Sequence, residues 1–165
     1  MGGTTSLCQI GDMTSGFPHA PLQHRLIEAL YDEAMLLADE SRTYFEEAEN
    51  GDRNALEPLA RVGFSCESLK LTTRLMHVIA WLLTQRAVVA GELGIDEARH
   101  PSRRLGDAPV TTPASLAALP SRANALIGAS VALHRRVALL DTAQDSVLPM
   151  MSPALSIQAR LAQAL

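Results

Sequence analysis

Apolar positions along this chain recur three and four residues apart, the period of an α-helix, and nowhere alternate residue by residue over a sustained stretch. Leu30, Ala34, Leu37, Ser41, Tyr44 and Ala48 form one seam, with Glu28, Asp32, Asp39 and Glu46 mostly on the opposite side. This predicts a first helix from about Pro21, where proline suits the first turn, to Asn50, with Gly51 as its stop. A second helix is expected over 58–92, either broken near Gly63 or continuous. At 100° per residue, Leu71, Leu75, Ile79, Leu82, Leu83 and Val89 share a broad sector, with Leu69 and Met76 at its edge. A sector that wide suits a central helix packed between two neighbours. The third helix opens at Ser121, a cap following Pro120, and carries Leu126, Ser130, Leu133, Val137 and Leu140 to about Asp145.

From Gly94 to Leu116 the pattern collapses, because Pro101, Gly106, Pro109 and Pro113 forbid a continuous helix. A connection of that length is either functional or disordered in most compact domains. Ser152-Pro153 can open a last short amphipathic helix with Ile157, Leu161 and Leu165 on its apolar face. The expectation is an all-α antiparallel three-helix bundle over 21–145, its helices at about 21–50, 58–92 and 121–145. Flexibility is expected in residues 1–20, the connection from Pro101 to Pro113, and the tail 146–165. No internal repeat is present.

Composition narrows this without naming a function. The 165 residues suit one domain, and 47% apolar content is enough for a real core. Aromatics make up only 4%, which favours helices over strands. Cys8 and Cys66 form no disulfide framework or metal-binding pair. No Lys or Arg precedes an apolar run at the N-terminus, and the most apolar window, Leu75 to Leu83, falls short of the roughly 20 residues that span a bilayer. These features predict a cytoplasmic chain without membrane insertion. Net charge is −4, unevenly spread: eleven acidic and three basic residues lie in 1–57, against seven and eleven in 58–165. The bases form no stripe interleaved with aromatics, so direct nucleic-acid binding is not expected. The acidic first helix is a solvated face or a docking surface for a basic partner.

Candidate chemistry is sparse. His19, His24, His77, His100 and His134 show no metal-ligand spacing, and no phosphate loop, nucleophile elbow or Cys/His signature occurs. Catalytic, cofactor and metal sites are therefore not expected. Arg86 falls inside the apolar sector of the second helix, where a bare guanidinium would be costly. A structural ion pair with Glu33 is the first reading, with snorkelling, a dimer contact or a ligand site as alternatives. Arg74, His77, Trp81 and Gln85 form a second stripe of that helix. They make a partner-binding surface, or else Trp81 fills core beside the third helix while Arg74 stays solvated. A small enzyme acting on an anionic metabolite would need Arg74 and Arg86 in one pocket, but helical geometry puts them on different faces.

The run Glu67-Ser68-Leu69-Lys70-Leu71-Thr72-Thr73-Arg74-Leu75-Met76, continued by Ala80 to Leu83, Gln85 to Ala87 and Gly91-Glu92, resembles the RcdA family. Leu126-Ile127, Ser130, Leu133, Arg136, Leu140 and Asp141 extend the likeness, which covers roughly 25–145; His77 and His134 depart from it. The resemblance implies a non-catalytic adaptor, a three-helix bundle that forms a homodimer and delivers cell-cycle substrates such as the CtrA transcription factor to the ClpXP protease. It implies work with a CpdR-type response regulator and a PopA-type cyclic-di-GMP effector, recruitment to the cell pole, and a flexible C-terminal tail needed for full activity. No active site is carried over. The tail's Leu161 and Leu165 are expected to dock on the protease or a partner groove. The first helix is the expected dimer seam.

Overall fold

The computed structural model describes residues 19–47 and 51–146. They hold three long helices: α1 (His19–Glu47), α2 (Pro58–Val89) and, after two single-turn helices α3 (Ile95–Ala98) and α4 (Pro113–Leu116), α5 (Ser121–Ser146). No strand occurs among the described residues. The class is all-α, as the periodicity predicts.

Local signals set the ends of these helices. Pro58 occupies the first turn of α2. At its other end Gly91 takes a left-handed φ of 74°. Gly91 N donates to Val88 O at 3.0 Å and Glu92 N to Ala87 O at 2.9 Å, closing the last carbonyls in a Schellman arrangement. Gly63 does not interrupt α2, which runs through it unbroken.

The seam predicted on α1 is the seam observed: Leu30, Ala34, Leu37, Ser41 and Tyr44 are buried, joined by Ile27. Ala48 lies outside the described residues. These side chains meet Leu71, Leu75 and Leu82 of α2 and Leu126, Ile127, Leu133 and Val137 of α5 in one core. Tyr44, Phe45 and Phe64 close it at one end, with ring centroids 5.0–6.4 Å apart. Burial pushes the Tyr44 hydroxyl up to about 12, helped by its 2.9 Å hydrogen bond to Asp52 Oδ2.

Cross-helix pairs give the directions. Arg86 of α2 reaches Glu28 near the start of α1, so those helices are antiparallel. Arg122 at the start of α5 reaches Glu40, so α1 and α5 are antiparallel too. The pairs Arg74–Ser130, Trp81–Asp141 and Gln85–Gln144 advance together along both helices, so α2 and α5 run parallel. Any three-helix bundle must contain one parallel pair. With two short connections it is the first and third helix; here it is the second and third. The chain must therefore return along the whole of α2 before α5 can begin, and this is why residues 90–120 are so long a connection.

That return is ordered, not the flexible loop expected between Pro101 and Pro113. After α3 and a single 3₁₀ turn (Pro101–Arg103), residues 104–112 run without helix along the groove between α2 and α5. Thr112 and Ser115 then form a reciprocal capping box that starts α4.

Candidate functional site

The groove beneath this crossover holds most of the buried polar side chains among the described residues. Glu67, Arg74 and Gln85 enter it from α2, and Ser130, His134 and Asp141 from α5. Glu67, Arg74 and Trp81 recur at intervals of seven, which keeps them on one face of α2.

Two linked clusters form along the groove. In the first, Arg74 is only 1% exposed. Its guanidinium donates to Ser130 Oγ at 3.1 Å, to Pro109 O at 3.0 Å and to the Thr111 hydroxyl. Thr111 in turn donates to Glu67 Oε2 at 2.7 Å, and Lys70 Nζ bridges Glu67 Oε1 at 2.8 Å and Val110 O at 2.9 Å. A buried positive charge and a buried negative charge are thus both compensated, which is what keeps them tolerable in an apolar interior. Burial pushes the Glu67 carboxyl up, but hydrogen bonds from Lys70, Thr111 and Ser115 outweigh it and hold the group below its ordinary value. Burial pulls Arg74 below its ordinary value, against the pull of the Glu67 charge.

In the second cluster, Asp141 Oδ1 accepts from the Trp81 indole at 2.7 Å and from Arg104 Nε at 2.8 Å. Arg104 also donates to the Asp141 carbonyl at 3.0 Å. Between the clusters, His134 Nε2 donates to Gly106 O at 2.9 Å, while the His77 ring lies against the other side of Gly106. A Cβ at residue 106 would stand 2.6 Å from His77 Nδ1, so any side chain here would force the imidazole or the crossover to move.

The structure therefore brings Arg74, His77, Trp81 and Gln85 together, but not as an outward partner surface. Arg74, Trp81 and Gln85 are buried, and the face is covered by α5 and the crossover. Of the two readings of Trp81, core filling beside the third long helix is the one observed; Arg74 is not solvated. The ion pair expected between Arg86 and Glu33 forms with a different partner. Arg86 Nε meets Glu28 Oε1 at 2.8 Å and stacks 4.4 Å from the Tyr31 ring centroid, while Glu33 pairs with Arg136 of α5. Glu28 lies five residues nearer the start of α1, in step with Arg86 near the end of α2. Leu161 and Leu165 lie outside the described residues.

Glu67, His134 and Asp141, together with Arg104 and Thr111 of the crossover, are site residues that the wheel did not single out, whereas Ser130 lies buried on the seam expected for the third helix. The heptad interval linking Glu67, Arg74 and Trp81 was the available signal. Rotating the buried face toward these residues turns part of the expected apolar sector outward: Leu69 and Met76 are 68% and 65% exposed, and Leu83 and Val89 about half.

The outer side of α2 is accordingly apolar. Val62, Leu69, Met76 and Leu83 stand exposed at intervals of seven. Beside them a groove of ≈ 540 Å³ runs between α1 and α2, lined among others by Phe45, Leu71, Leu75 and Ile79. Among the described residues no cluster of three metal-ligating side chains occurs.

Residues 19–165 match the model of the family described as "Protein of unknown function (DUF1465)". Among solved structures, the chain is similar to RcdA from Caulobacter crescentus CB15, with 34% sequence identity and a TM-score of 0.59. The match covers 72% of this chain and 90% of that one. A comparison with curated proteins gives no match. The residues that form the buried groove, from Glu67 to Asp141, lie within a chain that by family model and by identity belongs to the RcdA family.

Proposed function

We propose that this chain is a non-catalytic adaptor in regulated proteolysis, holding substrate and partner proteins close to a ClpXP-type protease. The observation that carries this reading is the 34% identity with RcdA over 90% of that chain. An adaptor of this kind acts through effective concentration: a rigid body with separate docking faces turns a second encounter into a local one. The groove under the crossover supplies the rigid body. The faces left for partners are the acidic outer side of α1 and the apolar outer side of α2.

For the homodimer that the resemblance implies, we propose a seam on α2. Val62, Leu69, Met76 and Leu83 repeat with the heptad spacing that a helix–helix seam requires. The first helix was the expected seam because the apolar sector of the second was expected to be used up inside the bundle; the exposure of Leu69, Met76 and Leu83 favours the second helix instead. A CpdR-type response regulator, a PopA-type cyclic-di-GMP effector and a CtrA-type substrate are the proposed partners, met in the cytoplasm and at the cell pole. No helix among the described residues is long and apolar enough to cross a membrane.

Reconstituted ClpXP with the cognate CpdR-type regulator and PopA-type effector tests the proposal. Candidate substrates from the same organism should turn over faster with this protein present, some and not others. A second reading, a helical dimerisation module without a delivery role, draws on the same exposed stripe of α2. Unchanged turnover of every substrate, from a protein that still dimerises, would establish that module and remove the adaptor.

A further inference from the structure

The crossover is held in a distinctive way. Three of its contacts with α2 and α5 go to main-chain carbonyls: Gly106 O from His134, Pro109 O from Arg74 and Val110 O from Lys70. Arg104 is the one long side chain of residues 104–111 that is anchored, by the Asp141 carboxylate. Asp107, Ala108 and Val110 face solvent, Val110 at 75% exposure. Leu105 is only partly buried against the core. The segment is thus gripped by its backbone, one basic side chain and the Thr111 hydroxyl set between Arg74 and Glu67, with little apolar packing. Clefts that hold extended peptides use the same chemistry: carbonyls give the affinity, and one or two side-chain pockets give the selectivity.

We propose that the groove between α2 and α5 is a recognition site for an extended segment of a partner protein that carries an Arg-Leu-Gly core. Residues 104–111 are its intramolecular occupant, which the partner's segment displaces. Arginine is specified by Asp141, whose carboxylate is already fixed by the Trp81 indole. Glycine two positions later is favoured by the His77 ring, which a Cβ would push aside. A hydroxyl side chain five positions after the glycine is favoured by Arg74 and Glu67, which hold Thr111, and backbone recognition leaves the remaining positions open in sequence. This inference does not rest on the proteolysis reading and stands or falls separately from it.

An occupant tethered in the same chain competes at an effective concentration near the millimolar range, so a free peptide meets the intact protein at a disadvantage. The test unseats the strap. In the full chain, Gly106→Ala drives a methyl group into the imidazole of His77 and should release the crossover. Binding is read by fluorescence anisotropy with a labelled peptide of the sequence Arg-Arg-Leu-Gly-Asp-Ala-Pro-Val-Thr-Thr, residues 103–112. Gly106→Ala is expected to bind it about tenfold or more tighter than the unaltered chain does. Adding His77→Ala makes room for the methyl group, reseats the strap and should return binding to the weak level. Alanine in place of the peptide's second arginine should cost about tenfold. A Gly106→Ala protein with unchanged helical circular dichroism and no tighter binding overturns the proposal. So does a strap-exchanged dimer that binds no peptide, which would give the groove to a second copy of this chain. Should Gly106→Ala fail to fold, Arg104→Ala, which removes the anchor at Asp141, is read by the same criterion.

Discussion

The two flanks of α2 are built on opposite principles. Toward α1, Leu71, Leu75 and Leu82 pack on Leu30, Ala34 and Leu37, with polar contacts only at the rim. Toward α5, Glu67, Arg74 and Gln85 face Ser130, His134 and Asp141 beneath a roof of extended chain. Apolar contact is non-directional, so the first flank holds the helices together while imposing little on their register. The second flank is satisfied only when each donor meets its acceptor, so it ties the parallel course of α5 and the path of the crossover to a single arrangement. The difference teaches that stability and specification are divided between the two sides of one helix, and it can be broken deliberately.

The largest effect is expected from Arg74→Ala, which leaves Glu67 buried with only part of its compensation and strips donors from Pro109 and Ser130. It should cost about 3–5 kcal/mol in chemical denaturation. Leu75→Ala, on the other flank, should cost about 2–5 kcal/mol by leaving a cavity. The totals overlap, but the local response should not. Brief trypsin digestion with mass-spectrometric mapping should show early cleavage after Arg104 in Arg74→Ala and not in Leu75→Ala. The combined change Glu67→Leu with Arg74→Met removes both charges together. It should recover most of the stability while leaving Arg104 cleavable. Equal cleavage in Arg74→Ala and Leu75→Ala would erase the distinction between the flanks.

Trp81→Phe should follow, at about 1–3 kcal/mol. The ring area is largely kept, but Asp141 loses its indole donor while still holding Arg104. Thermal unfolding measures the cost. A loss below about 0.5 kcal/mol would mean that Asp141 is satisfied by the arginine alone.

Acid and alkali should separate the flanks without any mutation. Glu67 is held below its ordinary value of 4.5 in the folded chain, so its contribution is complete above that pH and is lost as pH falls through the folded value. Tyr44, at the aromatic end of the α1 interface, is raised from 10.0 to about 12, so its contribution is complete below pH 10 and is lost between 10 and 12. Glu67→Gln should flatten the acid limb of a stability–pH curve and Tyr44→Phe the alkaline limb. A Glu67→Gln curve with an unchanged acid limb would show that other carboxylates control it.

How much of this was legible in the sequence follows from the same division. The α1 seam was readable because Leu30, Ala34, Leu37 and Tyr44 are apolar and buried for one reason, so periodicity alone finds them. On α2 the wheel was rotated, because it assigns Arg74 and Gln85 outward and Met76 and Leu83 inward or to the margin. It cannot know that acceptors for Arg74 wait at Pro109 and Thr111, some 35 residues further along the chain. The prolines of the connection announced a break in helix correctly. They said nothing of its order, which comes from side chains on other elements. The RcdA-like run in α2 marked the right helix, while the reason for its polar members lay in a connecting segment that carries none of the residues on which the likeness rests.

The smallest expected effect concerns the Arg86 pair, where sequence reasoning found the residue and missed the partner. Arg86 and Glu28 are each more than a third exposed, so solvent screens most of their attraction. A double-mutant cycle with Arg86→Ala and Glu28→Ala should return a coupling of about 0.5 kcal/mol, and the cycle of Arg86→Ala with Glu33→Ala a coupling near zero. The stacking of Arg86 on Tyr31 adds a contribution that does not depend on either carboxylate. Arg86→Ala alone should therefore cost more than the Glu28 coupling, and Tyr31→Leu should remove the excess. Added salt should weaken the Glu28 coupling and leave the Tyr31 contribution largely in place, since only the first is an exposed ion pair. If the coupling with Glu33 were the larger, α1 would have to slide by more than a turn against α2, and the apolar flank would be as loose in register as its chemistry permits.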